Sequence, residues 1–359
     1  MANGNNADFP FNNLTDNAIY ELFQTDKAYF DEILNTNGFN EFIKEYSLQN
    51  YMNCNSVDCK YYSIDTFNNE TNDDRNLLRI ININIRRISP NLGKLLVFLS
   101  NIRHKFGIII LTEVGNDAQN YITSVNFPEY DSFIDVPSNN RYGGVAILVK
   151  NGIGNVTIRS DLYMNKSCEC SKCAWENIWI DIFNSHQNFT VGAIYRHPHG
   201  NSEHFNEKLE NTLSMMPNKN VCIVGGDINL DLIKYEEKLV NDYFTVMSSN
   251  NFNPYITMPS RITAYSNTII DHIFIKFPQN KCDRKVVSGN ILADITDHLP
   301  TFALLHYSKC NDFNSRPYIR ILNDQNISIF NEKLNSINWV ETLGEGNPDQ
   351  TCEIFYERI

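Results

Sequence analysis

From Leu77 to Leu305 the chain repeats one pattern: short apolar runs of strand length, with polar residues at or just beyond their ends. The runs cover 77–83, 108–111, 145–149, 178–183, 189–195, 221–224, 270–275 and 301–305. Runs this short and this apolar read as strands, 108–111 as a buried one. Helical stretches are set between some of them. Ser89 and Pro90 are good helix-start residues, and Leu92, Leu95, Leu96, Leu99 and Ile102 follow at helical spacing. Further helices are expected over 202–216 and 236–247. Many strands with a few helices predict an α+β domain of two stacked sheets, with helices covering the outer faces.

The flanks read differently. Residues 1–76 are rich in Asn and Asp. Within them Ile19, Leu22, Phe23, Phe30, Ile33 and Leu34 recur at roughly helical spacing. Phe42, Ile43 and Tyr46 suggest a second short helix, and 68–74 (NNETNDD) reads as a polar linker. After Lys309 the chain turns polar again, with one short helix expected around 327–334. The expected organisation is therefore a partly helical N-terminal flank over 1–76, a domain over 77–308 and a linker-like segment over 309–359. No internal repeat is evident.

Composition narrows the function classes. The apolar fraction of 42% and the aromatic fraction of 12% exclude wholesale disorder. Lys plus Arg number 30 against 42 Asp plus Glu, a formal charge of -12. Holding nucleic acid by bulk positive charge is disfavoured, whereas gripping a few phosphates locally is not. No uninterrupted apolar run approaches the roughly 20 residues of a membrane span. The start, MANGNNADFP, lacks the charged and apolar regions of a signal peptide, so an intracellular protein without membrane contact is expected. Nine cysteines is an odd number without a secreted-domain framework, and most are expected to be reduced. Cys168, Cys170 and Cys173 form CECSKC, which lacks the paired CxxC units and fourth ligand of a zinc site. An irregular loop with free thiols is the expectation there.

The polar residues at the strand ends carry the chemistry. Asn84 closes the first run, Glu113 follows the second, and Tyr195 ends another. Asp227 and Asn229 follow 221–226, Asp271 heads a strand, and Asp297 and His298 precede the last. Strand ends of a packed sandwich can converge on one rim. Glu, Asp and Asn oxygens suit a hard divalent cation such as Mg²⁺. A metal, a His and several acids are the ingredients for hydrolysing a phosphate ester. Each residue also has a plainer reading. Glu113 alone would be a solvated loop acid, Asp227 after Gly225–Gly226 turn chemistry, His298 a structural histidine and Tyr195 a strand-end aromatic. His272 is given a structural role. Glu176, in WENIW, is read as a strand residue outside the site.

Eight segments occur in order: INIRRISPNL (83–92), LTEVG (111–115), GGVAILV (143–149), AIYRHP (193–198), GGDINLD (225–231), PSRIT (259–263), IIDHIF (269–274) and TDHLP (296–300). Together they resemble the endonuclease/exonuclease/phosphatase superfamily, which has the DNase I-like fold. More narrowly, INIRR, PSRIT and IIDHIF resemble the apurinic-type endonuclease domain of LINE-type (non-LTR) retrotransposons. The resemblance implies a four-layer α/β/β/α sandwich with its active site at one rim. Glu113 matches the family's metal-binding glutamate. Asn84, rather than Asn82 of the same Asn-x-Asn context, matches the asparagine that helps place metal and phosphate. Asp297 matches a second metal-side carboxylate. Asp227 matches the aspartate that acts on the attacking water, and Asn229 its phosphate-contacting partner. Tyr195 and His298 match residues at the scissile phosphate, and Asp271 the carboxylate that orients the histidine. GDIN stands where GDFN is common, and Thr296 where Ser commonly precedes Asp-His; neither change removes a catalytic group.

The implied activity is a Mg²⁺-dependent (or Mn²⁺-dependent) endonuclease that nicks one strand of double-stranded DNA. The nick would leave a 3′ hydroxyl to prime reverse transcription, which implies a nuclear site of action. Arg86, Arg87, Arg141, Arg196, His197 and Arg261 lie in or beside the motifs and are expected to grip DNA phosphates. No reverse-transcriptase pattern follows, so the chain is expected to be an isolated or truncated N-terminal part of a longer polyprotein. Element RNA and a reverse transcriptase are implied partners only in that longer context. Two rivals remain on these residues: a phosphatase or phosphodiesterase of the same fold acting on a small phosphorylated or lipid substrate, and a catalytically inert, DNA-binding remnant.

Overall fold

The computed structural model describes residues 57–71, 77–125, 127–137, 142–164, 175–263, 266–278, 286–306 and 324–336. The two helices expected before residue 47 and the CECSKC segment lie outside the described residues. In chain order the elements begin with β1 (Asp58–Tyr62), α1 (Ile64–Glu70), β2 (Leu77–Asn84), α2 (Ile88–Asn101), β3 (Ile108–Thr112) and α3 (Ala118–Val125). They continue with β4 (Tyr130–Asp135), β5 (Val145–Lys150), β6 (Asn155–Ile158), β7 (Trp175–Phe183), β8 (Phe189–Arg196), α4 (Ser202–Ser214) and β9 (Val221–Asp227). Then follow α5 (Lys238–Ser249), β10 (Asn253–Pro254), β11 (Arg261–Ile262), β12 (Asn267–Thr268), β13 (Asp271–Lys276), β14 (Val286–Ile291), β15 (Thr301–His306) and α6 (Asp324–Ser336). The helix expected around 327–334 is α6. It lies in a separate unit, 311–359. No helix among the described residues is long and apolar enough to cross a membrane.

Two large sheets form. The seven-stranded sheet runs β1-β14-β15-β2-β3-β5-β4, and the six-stranded sheet β10-β13-β9-β8-β7-β6. β11 and β12 make a small separate ribbon. Successive side chains of a strand point to opposite faces. In the larger sheet Ile80, Ile108, Ile110, Val145, Ile147 and Val149 share one core with Ile180, Val191, Ala193, Ile223 and Ile273 of the smaller sheet. Their neighbours Ile81, Ile83, Ile109, Leu111, Ala146 and Leu148 share a second core with Leu95 and Phe98 of α2 and Ile122 of α3. β2, β3 and β5 are thus covered on both faces, which is why they read as largely apolar runs, interrupted in β2 by the buried Arg79 and Asn82. On the far side of the smaller sheet, Phe205, Leu209 and Leu213 of α4 and Val240, Tyr243 and Met247 of α5 join its core. The layer order is α/β/β/α, a four-layer sandwich. Each fully buried Ile or Leu side chain contributes roughly 2 kcal/mol.

Local signals account for several element ends. Asn201 caps α4 by accepting from the His204 N–H at 3.0 Å. Ser63 does the same for α1, accepting from the Thr66 N–H at 3.1 Å. The larger sheet starts earlier than the change of pattern at Leu77. β1 and α1 fall within the stretch expected as a flank, yet β1 pairs in parallel with β14. Phe67 of α1 stacks against Phe106 at 5.6 Å and meets Phe302 edge-on at 4.9 Å. A five-residue strand with only three buried apolar side chains has too little periodicity to stand out from an Asn-rich surrounding.

Candidate active site

In the smaller sheet four polar residues fall in one register row, one from each of four adjacent strands. Glu176 of β7 faces Tyr195 of β8, Tyr195 faces Asp227 of β9, and Asp227 faces Asp271 of β13. The row lies at the end of β8 and β9 and at the start of β13. Facing it across the sandwich is the end of β2, where Asn84 stands, and the turn after β3, where Glu113 stands. The strand-end residues of the sequence pattern therefore do meet at one rim.

Gly225 and Gly226 precede Asp227 for reasons other than a turn, since both lie inside β9. A Cβ on Gly225 would stand 2.6 Å from Cδ1 of Ile110 in the opposite sheet. One on Gly226, whose φ is +152°, would run into the Ile194 carbonyl. The pair allows the two sheets and β8 to approach closely, which brings Asp227 within reach of Asn84.

The Asn84 amide joins the sheets. Its Nδ2 donates to Asp227 Oδ2 at 2.8 Å and to Glu113 Oε1 at 2.9 Å, while its Oδ1 accepts the Arg86 N–H at 3.0 Å. Asn82 sits deeper in β2, donating to Thr301 Oγ1 at 3.3 Å. Asp227 Oδ1 accepts the Asn229 N–H at 3.0 Å, and the Asn229 amide donates to the Arg196 carbonyl at 2.8 Å. Left-handed backbone concentrates here: Arg86, Arg87, Glu113 and Asn229 have φ of 43°, 72°, 52° and 52°. Such residues cost of order 1–3 kcal/mol each and persist where their surroundings impose them.

The second half of the site is a His–carboxylate dyad. His298 Nδ1 donates to Asp271 Oδ2 at 2.8 Å. Ser260 Oγ donates to the same oxygen at 2.7 Å and accepts the Asp271 N–H at 3.1 Å. Asp271 Oδ1 is buried without a partner. The Thr296 hydroxyl bridges two segments. It donates to the Asn84 carbonyl at 2.9 Å and accepts the His298 N–H at 3.2 Å, tying the loop before β15 to β2. His272, next to Asp271, faces the other way. Tyr243 O–H donates to its Nδ1 at 3.1 Å, and its Nε2 donates to the Ile269 carbonyl at 3.0 Å. Burial lowers its pKa to about 4, the behaviour of a neutral structural histidine.

The charges are strongly biased. Burial raises the Asp227 pKa to about 8, with Asp271 and Glu113 pushing the same way and His298 opposing. Burial alone would lower His298, but the Asp271 charge and hydrogen bond, with Asp227 and Asp297 nearby, raise it to about 9. Burial pushes the Tyr195 phenol well up, helped by Glu113, Asp227 and Glu176, so it stays a neutral hydrogen-bonding group.

These residues fit a hard divalent cation. Glu113 and Asp227 aim carboxylate oxygens at one amide nitrogen, and single ligand atoms of Asp227, Asp271 and His298 lie within 4.8 Å of one another. The His298–Asp271 hydrogen bond occupies the atoms of that pair that point at each other. Glu113 and Asp227 are therefore the stronger metal candidates.

Asp297, expected on the metal side, has its oxygens on arginines. Arg86 reaches Oδ1 at 2.7 Å and Arg261 reaches Oδ2 at 2.9 Å. Those two arginines border the site and are partly exposed. Arg87 is half-buried against Ser89 and Asp117. Arg141 lies outside the described residues. Arg196 differs from the expectation of a phosphate grip. It is 2% exposed, and its guanidinium donates to the carbonyls of Ile228, Asn229 and Gly200 and to Ser202 Oγ. It braces the Asp227–Asn229 turn from inside. Position in a motif could not separate an inward from an outward arginine. Ser260 was visible within PSRIT, but its bond to Asp271 depends on the chain folding back over eleven residues.

No family model matches the chain, and no curated protein matches it. Among solved structures it is similar to the endonuclease domain of TRAS1, a telomere-specific non-LTR retrotransposon. There the identity is 15%, the TM-score 0.49, and the match covers 65% of this chain and 100% of that one. It is also similar to D. rerio TDP2 complexed with single strand DNA product, at 12% identity and TM-score 0.47 over 65% and 99% of the two chains. An endonuclease/exonuclease/phosphatase from Beutenbergia cavernae aligns at 14% identity and TM-score 0.49 over 65% and 72%.

Proposed function

We propose that this chain is a divalent-metal-dependent phosphodiesterase that nicks one strand of double-stranded DNA and leaves a 3′ hydroxyl. The observation that carries the reading is the meeting, at one rim, of the Asn84–Glu113–Asp227 cluster with the His298–Asp271 dyad. Two buried acids, a polarised histidine and a neutral tyrosine are a set for phosphoryl transfer to water rather than for binding alone.

Glu113 and Asp227 would hold a Mg²⁺ or Mn²⁺ ion, which would supply charge neutralisation and Lewis-acid polarisation of the phosphate. The residues of the chain supply the rest. The ionised form of Asp227, which a bound cation would favour over the protonated acid, is oriented by the Asn84 amide and the Asn229 N–H to take a proton from the attacking water, while the P–O3′ bond breaks and the 3′ oxygen gains a proton from solvent. His298, held as an imidazolium by Asp271, donates to the phosphate oxygen that gains charge in the transition state. Tyr195, kept protonated, offers its hydroxyl beside the same centre. Arg86 and Arg261 orient the duplex by its phosphates. The INIRR, PSRIT and IIDHIF segments support the narrower reading, in which the 3′ hydroxyl primes reverse transcription of a LINE-type element in the nucleus.

The test is supercoiled-plasmid nicking with Mg²⁺, with EDTA, and with Asp227→Ala and His298→Ala proteins. Metal-dependent conversion to open circles, lost in both variants, is expected. A folded wild-type protein that leaves the plasmid supercoiled overturns the reading. Turnover of phosphomonoesters instead would identify a phosphatase, and duplex binding without turnover an inert remnant.

A further inference from the structure

The register row that carries Asp271, Asp227 and Tyr195 has a fourth member, Glu176, that the mechanism above does not use. Its side chain is buried in the apolar-rich β7 at 5% exposure. A carboxylate is costly to bury and needs partners. Glu176 has two on a single oxygen: Oε2 accepts the Gly144 N–H at 3.0 Å and meets His197 Nε2 at 3.2 Å. His197 in turn lies edge-on to Tyr195, with ring centres 4.8 Å apart.

The bond to Gly144 leads to the metal side of the site. The Gly144 carbonyl accepts the Val114 N–H at 3.3 Å, and the Gly143 carbonyl accepts the Gly115 N–H at 2.8 Å. Those two amides directly follow Glu113, whose own backbone is held at φ 52°. Both glycines are needed for the approach. Gly143 has φ +102°, and a Cβ there would stand 2.7 Å from Glu176 Oε2 and 2.9 Å from His197 Nε2. Gly144 has φ +86°, and a Cβ there would stand 3.0 Å from Val114 Cγ2. The backbone of 143–144 is thus clamped between the Glu176–His197 pair and the turn that presents Glu113.

We propose that Glu176 is a positioning residue of the active site, setting the place of Glu113 by holding Gly143–Gly144 against the Glu113–Gly115 turn, with His197 as the second support of its carboxylate. The proposal rests on the reading of Glu113 as a metal-side carboxylate. It gives a site role to a strand residue that sequence alone placed outside the site. It also gives a reason for the two glycines that open GGVAILV.

The test compares wild type with Glu176→Ala, Glu176→Gln and Gly143→Ala. Two quantities are read: amide hydrogen exchange in metal-free protein, and Mn²⁺ affinity from the free-ion electron paramagnetic resonance signal without DNA. Glu176→Ala should speed exchange at Val114 and Gly115 while leaving β9 protected, and should weaken Mn²⁺ binding about tenfold or more. Glu176→Gln keeps an oxygen for the Gly144 N–H and should restore both readings most of the way. Gly143→Ala disturbs the same contact with Glu176 intact, and should reproduce the Ala result. It decides the matter if Glu176→Ala does not fold. Wild-type exchange and Mn²⁺ affinity in Glu176→Ala or Gly143→Ala would overturn the proposal, as would a loss of protection across the whole domain that Gln does not repair. The exchange measurement does not depend on activity. A wild type that fails to nick but shows the local pattern sinks the endonuclease reading alone, and a nicking wild type without the pattern sinks this proposal alone.

Discussion

Asp227 and Asp271 are register partners on adjacent antiparallel strands, both fully buried. Directly opposed residues on such strands have Cβ atoms about 4.5–5.5 Å apart, and like charges there repel. The site keeps two acids in this arrangement by giving each a different neighbour. Asp271 has the His298 imidazolium and the Ser260 hydroxyl, whereas Asp227 has amide donors from Asn84 and Asn229. Burial, with the Asp271 and Glu113 charges nearby, pushes Asp227 up to about 8.

That difference makes Asp227 a liability for the metal-free fold. Its folded pKa lies above its unfolded value, so the folded state holds a proton that the unfolded state releases between about pH 4 and 8. Stability from this group is full below that window and declines across it. Asp227→Asn in EDTA should melt no lower than wild type at pH 8 and should show a flatter dependence between pH 5 and 8, while nicking falls about 10²-fold or more. Thermal melts across pH, beside plasmid nicking, check this. A variant that melts much lower at pH 8 would refute the charge argument.

His298 sets the alkaline limit. Its folded pKa of about 9 exceeds the ordinary 6.5, so its imidazolium persists at neutral pH and is lost as pH rises through 9. The nicking rate should fall above about pH 9. Asp271→Asn removes the largest charge that raises the histidine, and should move that fall toward neutral pH as well as lower the maximum. Single-turnover rates across pH decide it; an unmoved alkaline limb in Asp271→Asn would show that another group titrates there.

Metal should stabilise the fold through Glu113. Mg²⁺ at about 100 times its Kd adds roughly 2.7 kcal/mol. For a domain of this size that is about 5–10 °C in Tm. Glu113→Gln should lose most of the shift. Asp297→Asn should keep it, because the Asp297 oxygens are on Arg86 and Arg261. Differential scanning fluorimetry with and without Mg²⁺ separates the two, and an Asp297→Asn protein without the shift would return Asp297 to the metal.

The arginines should divide by burial. Arg86→Ala and Arg261→Ala should weaken binding to every duplex similarly, each reducing the salt slope by about one, with little change in Tm. Arg196→Ala should instead lower stability by about 3 kcal/mol, since it strips buried carbonyls of their donor. Fluorescence anisotropy in EDTA over a salt series, with melts alongside, distinguishes them. A stable Arg196→Ala protein with a reduced slope would place that side chain on DNA.

Much of this was legible from residue order. β2, β3, β5, β7, β8, β9, β13 and β15 each read as largely apolar runs because both of their faces are covered, and polar residues such as Arg79 of β2 and Asp181 of β7 interrupt them without a regular alternation. Asn84, Glu113, Asp227, Asp271 and His298 stood out because each breaks or borders such a run. β1 did not stand out: its burial comes from pairing with β14, more than two hundred residues away. The inward aim of Arg196, the arginine partners of Asp297 and the place of Glu176 in the row were equally invisible.

The reason lies in the range of the interactions. A strand's apolar content and the polar residue that ends it are local properties, so the sequence by itself determined the strand-rich, helix-covered sandwich and the residue types available at its rim. Which of those residues meet is set by strand register and by sheet-to-sheet approach. Those depend on contacts such as Asn84 with Asp227, 143 residues apart, and on glycines that matter only because of what packs against them. The tertiary structure alone decided that Asp227 sits opposite Asp271, that Asp297 answers to two arginines, and that Glu176 meets Gly144 and His197.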